Sequence, residues 1–205
     1  MNFLAVLDYD HLDNGMFLTA FARSLAQRKK SGIIIHSDSE YTDRLIQTGM
    51  MREDAMLRAI KDLNHRLIAL FADQGVATIG VNGHQKSLIR VKDDDIQINR
   101  EQIDRFPSQP MLLISGLADN PGSGQPTPLS LPQMAQSFQI QLDINEIILF
   151  SMDESSSVIK GDFPVNITPK ETDTEFLEKH VPKSFHQFNK EIVVTTPDAF
   201  GNSEK

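Results

Sequence analysis

The chain has no cysteine and no tryptophan among its 205 residues. Without thiols it can form neither a disulfide nor a thiolate metal site, and it has no cysteine nucleophile. Positive charge is also scarce: 20 Lys and Arg stand against 28 Asp and Glu, a net charge of -8. A nucleic-acid surface needs clustered cations on the phosphates, so nucleic acid is not an expected partner. The one basic cluster, Arg28-Lys29-Lys30, falls where a helix should end, and cations are favourable there without any ligand. Long apolar runs are missing as well. The opening Phe3-Leu4-Ala5-Val6-Leu7 is cut short by Asp8, with no basic leader before it and no small-residue cleavage site after it. No run approaches membrane-spanning length. The expectation is a cytoplasmic protein without a membrane partner. What is present is ordinary for a soluble domain: 40% apolar and 23% charged residues, enough to enclose one sizeable core.

The hydrophobic pattern alternates between strand and helix. Residues 3 to 7 read as a buried strand, and Phe17, Leu18, Phe21, Ala22 and Leu25 recur at helical spacing over 15 to 29. A second strand at 32 to 36 completes a strand–helix–strand unit, the crossover of a parallel sheet. From Tyr41 to Asp73 the pattern is helical with a break near Gly49, and Met56, Ile60, Leu63, Leu67 and Leu70 form a continuous stripe. That stripe packs on a sheet or serves as a dimer face. Two alternating runs then flank Asn82-Gly83, a strong hairpin signal. Strands are expected at 95 to 98, 110 to 115 and 145 to 151, a helix at 131 to 142, and a last strand at 190 to 196 before a frayed tail. The polar stretch 153 to 190 has no clear period. The whole reads as a three-layer α/β/α sandwich with a mostly parallel sheet.

Chemistry-bearing motifs are few. The strand 32 to 36 runs into Ser37-Asp38-Ser39-Glu40 and then a helix. Such a turn can cradle a phosphate on bare backbone N–H groups, yet here it carries two acids and no glycine. Ser37 or Ser39 capping the helix, with the acids at its positive end, accounts for these residues without a ligand. The six histidines show no zinc-type spacing, and His84, His180 and His186 are expected to face solvent. Gly122-Ser123-Gly124 lacks the lysine and the glycine count of a P-loop, and Asp93-Asp94-Asp95 lacks calcium-loop spacing. Ser115 and Ser151 have no His–Asp pair placed by sequence, which argues against a serine hydrolase.

Three stretches, 32 to 49, 63 to 91 and 134 to 151, together with a weaker echo at His180-Val181-Pro182-Lys183, resemble the amino-acid kinase family, nearest to its acetylglutamate kinases. The resemblance implies a single kinase-type domain over 1–205, with an acceptor-binding lobe at 1–115 and a nucleotide-binding lobe at 116–205 shortened at its end. It implies ATP with magnesium as cofactors, an acyl-amino acid as ligand, and a homodimer. Carried over residue by residue, Lys183 matches a phosphate-binding lysine. His36 and Ser37 line the turn, and Arg52 and Asn64 hold the acceptor. The departures lie at the catalytic positions. Where the family ends its first strand with Lys, an aromatic residue and two glycines, this chain has Asp8-Tyr9-Asp10-His11. The Gly-Gly-Gly-Pro turn becomes Ser37-Asp38-Ser39-Glu40, and the acid of the family's Asn-x-Asn-Ala-Asp falls near Pro132.

Phosphoryl transfer relies on positioning and on neutralising phosphoryl oxygens. Replacing a lysine by Asp8 shifts local charge by two units, and any Cβ on the former glycines takes space a phosphate oxygen would use. The expectation is a kinase fold whose transfer chemistry is impaired or lost. In that case the chain serves as a small-acid-binding or regulatory subunit, alone or beside an active homologue. If activity survives, Asp8 and Asp10 need magnesium. A competing reading takes Asp8-x-Asp10 as the first motif of haloacid dehalogenase-type phosphatases. Asp8 would be the nucleophile, Asp10 the acid/base and both would be metal ligands, with Ser115, Asp153 and Glu154 completing the site.

Overall fold

The computed structural model describes residues 2–93, 95–107, 109–153 and 163–202. Strand β1 (Phe3–Leu7) is buried at all five positions, as expected of a parallel strand covered on both faces. A helical turn, α1 (Tyr9–Leu12), and helix α2 (Gly15–Gln27) lead to β2 (Ile33–His36). Next come α3 (Tyr41–Gln47) and α4 (Arg52–Asp73), separated at Gly49, whose φ of +92° is the left-handed conformation glycine adopts without strain. Strand β3 (Thr78–Asn82) precedes a hairpin of β4 (Ile89–Lys92) and β5 (Asp95–Ile98). Then follow α5 (Arg100–Asp104), β6 (Met111–Ser115), and the short pair β7 (Leu117–Ala118) and β8 (Thr127–Pro128). Helix α6 (Leu131–Leu142), β9 (Glu146–Phe150), β10 (Val165–Ile167), α7 (Thr174–His180), β11 (Ile192–Thr195) and α8 (Pro197–Asn202) complete the order.

Seven strands form one sheet in the order β10-β11-β9-β1-β2-β6-β3, parallel throughout except for β10. Alternation along each strand builds two cores. Phe3, Ala5 and Leu7 point to the face covered by α2, α4 and α8, and Leu4 and Val6 point to the face covered by α6 and α7. The arrangement is the expected three-layer α/β/α sandwich. Helix α2 starts where the Asn14 side chain accepts the Phe17 N–H at 3.0 Å, satisfying one of the open donors of the first turn. Its apolar stripe then packs Phe21 edge-on to Phe71 and Phe150.

Two expectations are corrected. Asn82-Gly83 is not a hairpin turn, because β3 pairs in parallel with β6 while β4 pairs with β5. Neither residue has the positive φ that a type I′ turn requires. Asn82 instead turns inward and accepts the Ser115 hydroxyl at 3.0 Å. Gly83 is needed for close approach: a Cβ there would lie 2.4 Å from the Leu117 carbonyl oxygen and 2.8 Å from that of Ser115. The tail after β11 is not frayed up to Asn202. It forms α8, whose Phe200 is buried against Phe3 and Phe150 and capped by the Arg28 guanidinium 4.2 Å above the ring.

The chain moves from β1 outward through β2 to the β3 edge, returns to insert β6, and later crosses to the other side of β1 to lay down β9. Adjacent connections therefore diverge between β1 and β9, and a crevice opens beyond their carboxyl ends. Among the described residues no helix is long and apolar enough to cross a membrane.

Candidate functional site

The crevice is a cleft of about 410 Å³ lined by Asp10, His11, Asp13, Asn14, Phe17, Glu40, Ser151, Met152, Asp153 and Pro197. Its form follows from what succeeds β1. Asp8 adopts extended geometry and the chain coils at once into α1, so His11 swings back toward the sheet. Its ring is 95% buried, stacked on Phe17 at 4.2 Å and edge-on to Phe150 at 6.3 Å. Nε2 donates to the Ser151 carbonyl at 3.4 Å, tying the end of β1 to the end of β9. Nδ1 has no partner. Burial drops the His11 pKa to about 4, so the ring is neutral and Nδ1 is a bare acceptor.

Asp8 stands at the junction. Burial, with a smaller push from Asp10, raises its pKa to about 6 against the pull of the Tyr9 N–H. Asp13 pairs with Arg44 through one carboxylate oxygen, while the other is buried without a partner. Asp153 lies 3.4 Å from the Lys179 ammonium. The cleft wall thus carries four carboxylates, and among the described residues no lysine or arginine lines it.

The turn after β2 uses its own side chains. One Asp38 oxygen accepts the Ser39 N–H at 2.8 Å and the Thr42 hydroxyl, and the Ser39 hydroxyl accepts the Tyr41 N–H at 3.2 Å. Ser39 thus satisfies the first amide of α3, although the N-cap is Glu40, which makes no side-chain cap bond, and Asp38 takes a neighbouring N–H for itself.

His36 and Asn64, matched to the acceptor site by resemblance, do meet. His36 is fully buried with Nε2 3.3 Å from Asn64 Oδ1 and Nδ1 3.3 Å from the Ser37 carbonyl. Burial lowers the His36 pKa to about 4. A neutral ring has one N–H for two neighbours, so the Asn64 amide presents whichever end the tautomer needs. Ser115, paired in register with His36 and Asn82, extends this polar row across β2, β6 and β3. Ser37 donates to the Leu129 carbonyl at 3.2 Å. The other matched residues lie apart from this row. Arg52 is exposed at the start of α4, 3.6 Å from Asp43. Lys183 is exposed in a 3₁₀ turn, 183–185, and does not line the cleft. Of Asp8 and Asp10, only Asp10 lines it. Among the described residues no three His, Asp or Glu side chains group closely enough to hold a metal ion. Glu154 lies outside the described residues.

Sequence reasoning missed one pair. The His180 Nδ1 sits 2.8 Å from the Ser151 hydroxyl, and the Met152 N–H donates to the His180 carbonyl, so the last turn of α7 is fastened to the end of β9. Neither His180 nor His186 is free in solvent, the latter being 2.9 Å from the Val181 carbonyl. Residues 29 apart in a stretch without period give no signal of such a contact.

No protein-family model and no curated protein sequence matches the chain. Solved structures do. The structure of smu.665 from Streptococcus mutans UA159 superposes with a TM-score of 0.62 at 14% identity, over 82% of this chain and 79% of that one. The isopentenyl phosphate kinase of T. acidophilum in its product complex gives 0.57 at 10% identity, over 98% and 93%. The aspartate kinase of Synechocystis gives 0.58 at 12% identity, over 74% of this chain and 28% of that one. The layer order, the parallel sheet and these superpositions agree: this chain has the amino-acid kinase fold.

Proposed function

We propose that the chain is a ligand-binding module on the amino-acid kinase fold that does not transfer a phosphoryl group from ATP. One observation carries this: beyond β1, where the fold's kinases have glycines by resemblance, a helical turn lays the His11 ring on Phe17 and puts side chains where bare backbone would meet a phosphate. A magnesium triphosphate does not fit these residues. Among the described residues the cleft wall offers carboxylates and no lysine or arginine, and two like charges about 4 Å apart repel by about 4 kcal/mol at an effective dielectric near 20. The N–H groups of the second turn are turned to Asp38 and Ser39.

The same features bear on substrate class. An acetylglutamate-type acceptor would need His36, Asn64 and Arg52 together, yet the first two are buried partners of each other and the third is exposed beside Asp43. The phosphatase reading has less behind it, since the described residues gather no third ligand with Asp8 and Asp10. As a binding module the chain would act through a partner, either a second copy or an active kinase of the same fold.

The test is turnover. Purified protein is incubated with ATP–magnesium and a panel of acyl-amino acids and phosphate monoesters, and ADP release is followed. The expected result is no release above the no-acceptor blank. Acceptor-dependent release would overturn the proposal.

A further inference from the structure

We propose that Asn14, at the start of α2, is a site of covalent self-modification: its side-chain amide is lost through a succinimide closed on the Gly15 nitrogen, leaving an aspartyl or isoaspartyl residue. The inference is independent of the binding-module reading.

Asn-Gly occurs twice in the chain, at 14–15 and at 82–83, and the fold treats the two pairs differently. The reaction needs the glycine nitrogen to reach the asparagine Cγ, and glycine permits this because no Cβ obstructs the approach. At Asn82 both reacting groups are held. Its Oδ1 accepts the Ser115 hydroxyl at 3.0 Å, the Gly83 N–H donates to the Ser115 carbonyl at 3.3 Å, and the residue is buried. At Asn14 the surroundings are open. Gly15 is exposed, and beyond its own neighbours and helix backbone no atom lies within 4 Å of the place a Cβ would take. Met16 beside it is 81% exposed. The Gly15 N–H belongs to the first turn of α2, whose donors have no carbonyl one turn earlier to bind. Among the described residues one hydrogen bond holds the Asn14 side chain, the N-cap bond that Oδ1 accepts from the Phe17 N–H at 3.0 Å. Asn14 is extended, with φ -88° and ψ 96°, so ring closure requires the first turn to open and ψ to rotate. A turn that presents Gly15 and Met16 to solvent gives up little packing when it opens. In the step itself the Gly15 nitrogen loses its proton and bonds to Asn14 Cγ. The Cγ–Nδ2 bond breaks, and Nδ2 leaves with that proton as ammonia. Water then opens the ring at Cγ, giving aspartate, or at the main-chain carbonyl carbon, giving isoaspartate. Overall one water is consumed and one ammonia released. Asn14 lines the crevice, so the aspartyl product adds a carboxylate to its wall and still caps α2. The isoaspartyl product lengthens the main chain by a methylene at the point where α2 begins.

The test is incubation of the full folded chain at mildly alkaline pH and body temperature, with peptide mapping by mass spectrometry and enzymatic methylation of isoaspartate as readouts. A sample held in urea is the reference in which neither asparagine is protected. In the folded chain Asn14 is expected to lose its amide at least about tenfold faster than Asn82, and in urea the two rates should converge. Gly15→Ala places a methyl group in open space at a residue without positive φ, so the fold is kept, and it should slow loss at Asn14 by about tenfold. Should that variant fail to fold, Asn14→Asp, which preserves the N-cap, carries the test: it should abolish the isoaspartate signal from the folded protein. An Asn14 that stays intact in the folded chain while the urea sample loses it overturns the inference. So does loss at Asn82 that keeps pace with loss at Asn14 in the folded chain, a Gly15→Ala rate equal to that of the native chain, or an isoaspartate signal that persists in Asn14→Asp.

Discussion

Acidification should unfold this protein through two buried imidazoles, and the size of the effect follows from three groups. His11 and His36 have pKa values near 4 in the fold, against about 6.5 when unfolded. The unfolded chain therefore takes up protons that the folded chain refuses, and stability present above pH 6.5 drains away as pH falls toward 4. At 1.36 kcal/mol per unit, each histidine removes about 2 kcal/mol between about pH 7.5 and 5. Asp8 works in the opposite direction. Its pKa is raised to about 6, so stability present below the unfolded value near 3.8 is lost as pH rises through 6, and acidification over the same window returns about 1.5 kcal/mol. The native chain should lose about 2.5 kcal/mol, and Asp8→Asn, freed of the opposing group, about 4 kcal/mol. At about pH 7.5 the variant should also be the more stable of the two by up to about 3 kcal/mol. His84 and His180, both lowered by burial, add to the loss. Urea unfolding followed by far-ultraviolet circular dichroism measures this in a chain without tryptophan. A stability of Asp8→Asn that is flat or rises on acidification would refute the reasoning.

Two substitutions test the packing beneath the site. Gly83→Ala puts a Cβ against two backbone oxygens that cannot swing aside. It should cost about 1–3 kcal/mol in urea unfolding, overpacking without relief, whereas a tolerated change would contradict the close approach. Asn64→Leu leaves the buried His36 ring without its side-chain partner. It should cost about 1–3 kcal/mol, and a neutral result would mean the contact is not made in solution.

Much of the fold was legible because burial on both faces leaves continuous apolar runs. Ile33 to Ile35, Met111 to Ile114 and Ile147 to Phe150 could hardly be anything but central strands. The helices α2 and α6 announced themselves by period and the α3–α4 break by Gly49. Asn82-Gly83 misled because its chemistry is identical in a hairpin turn and in a close approach. Only the tertiary neighbours, Ser115 and Leu117, distinguish the two. At the site, the absence of glycine after β1 was visible in the letters Asp8 to His11. That His11 would turn inward and stack on Phe17 was not, since a histidine next to an aspartate reads equally well as a solvated turn. Arg52 and Lys183 were placed by analogy with neighbours whose spacing this chain does not share, and they lie away from the cleft. Ser151 and His180 were joined only by the fold.

On the proposed reading, the His11 ring and the acidic wall keep a nucleotide's polyphosphate out of the crevice beyond β1 and β9. Isothermal titration of the intact protein with ATP–magnesium at low salt tests it most directly. The prediction is no saturable binding up to concentrations of about 1 mM. Micromolar, stoichiometric binding would contradict it.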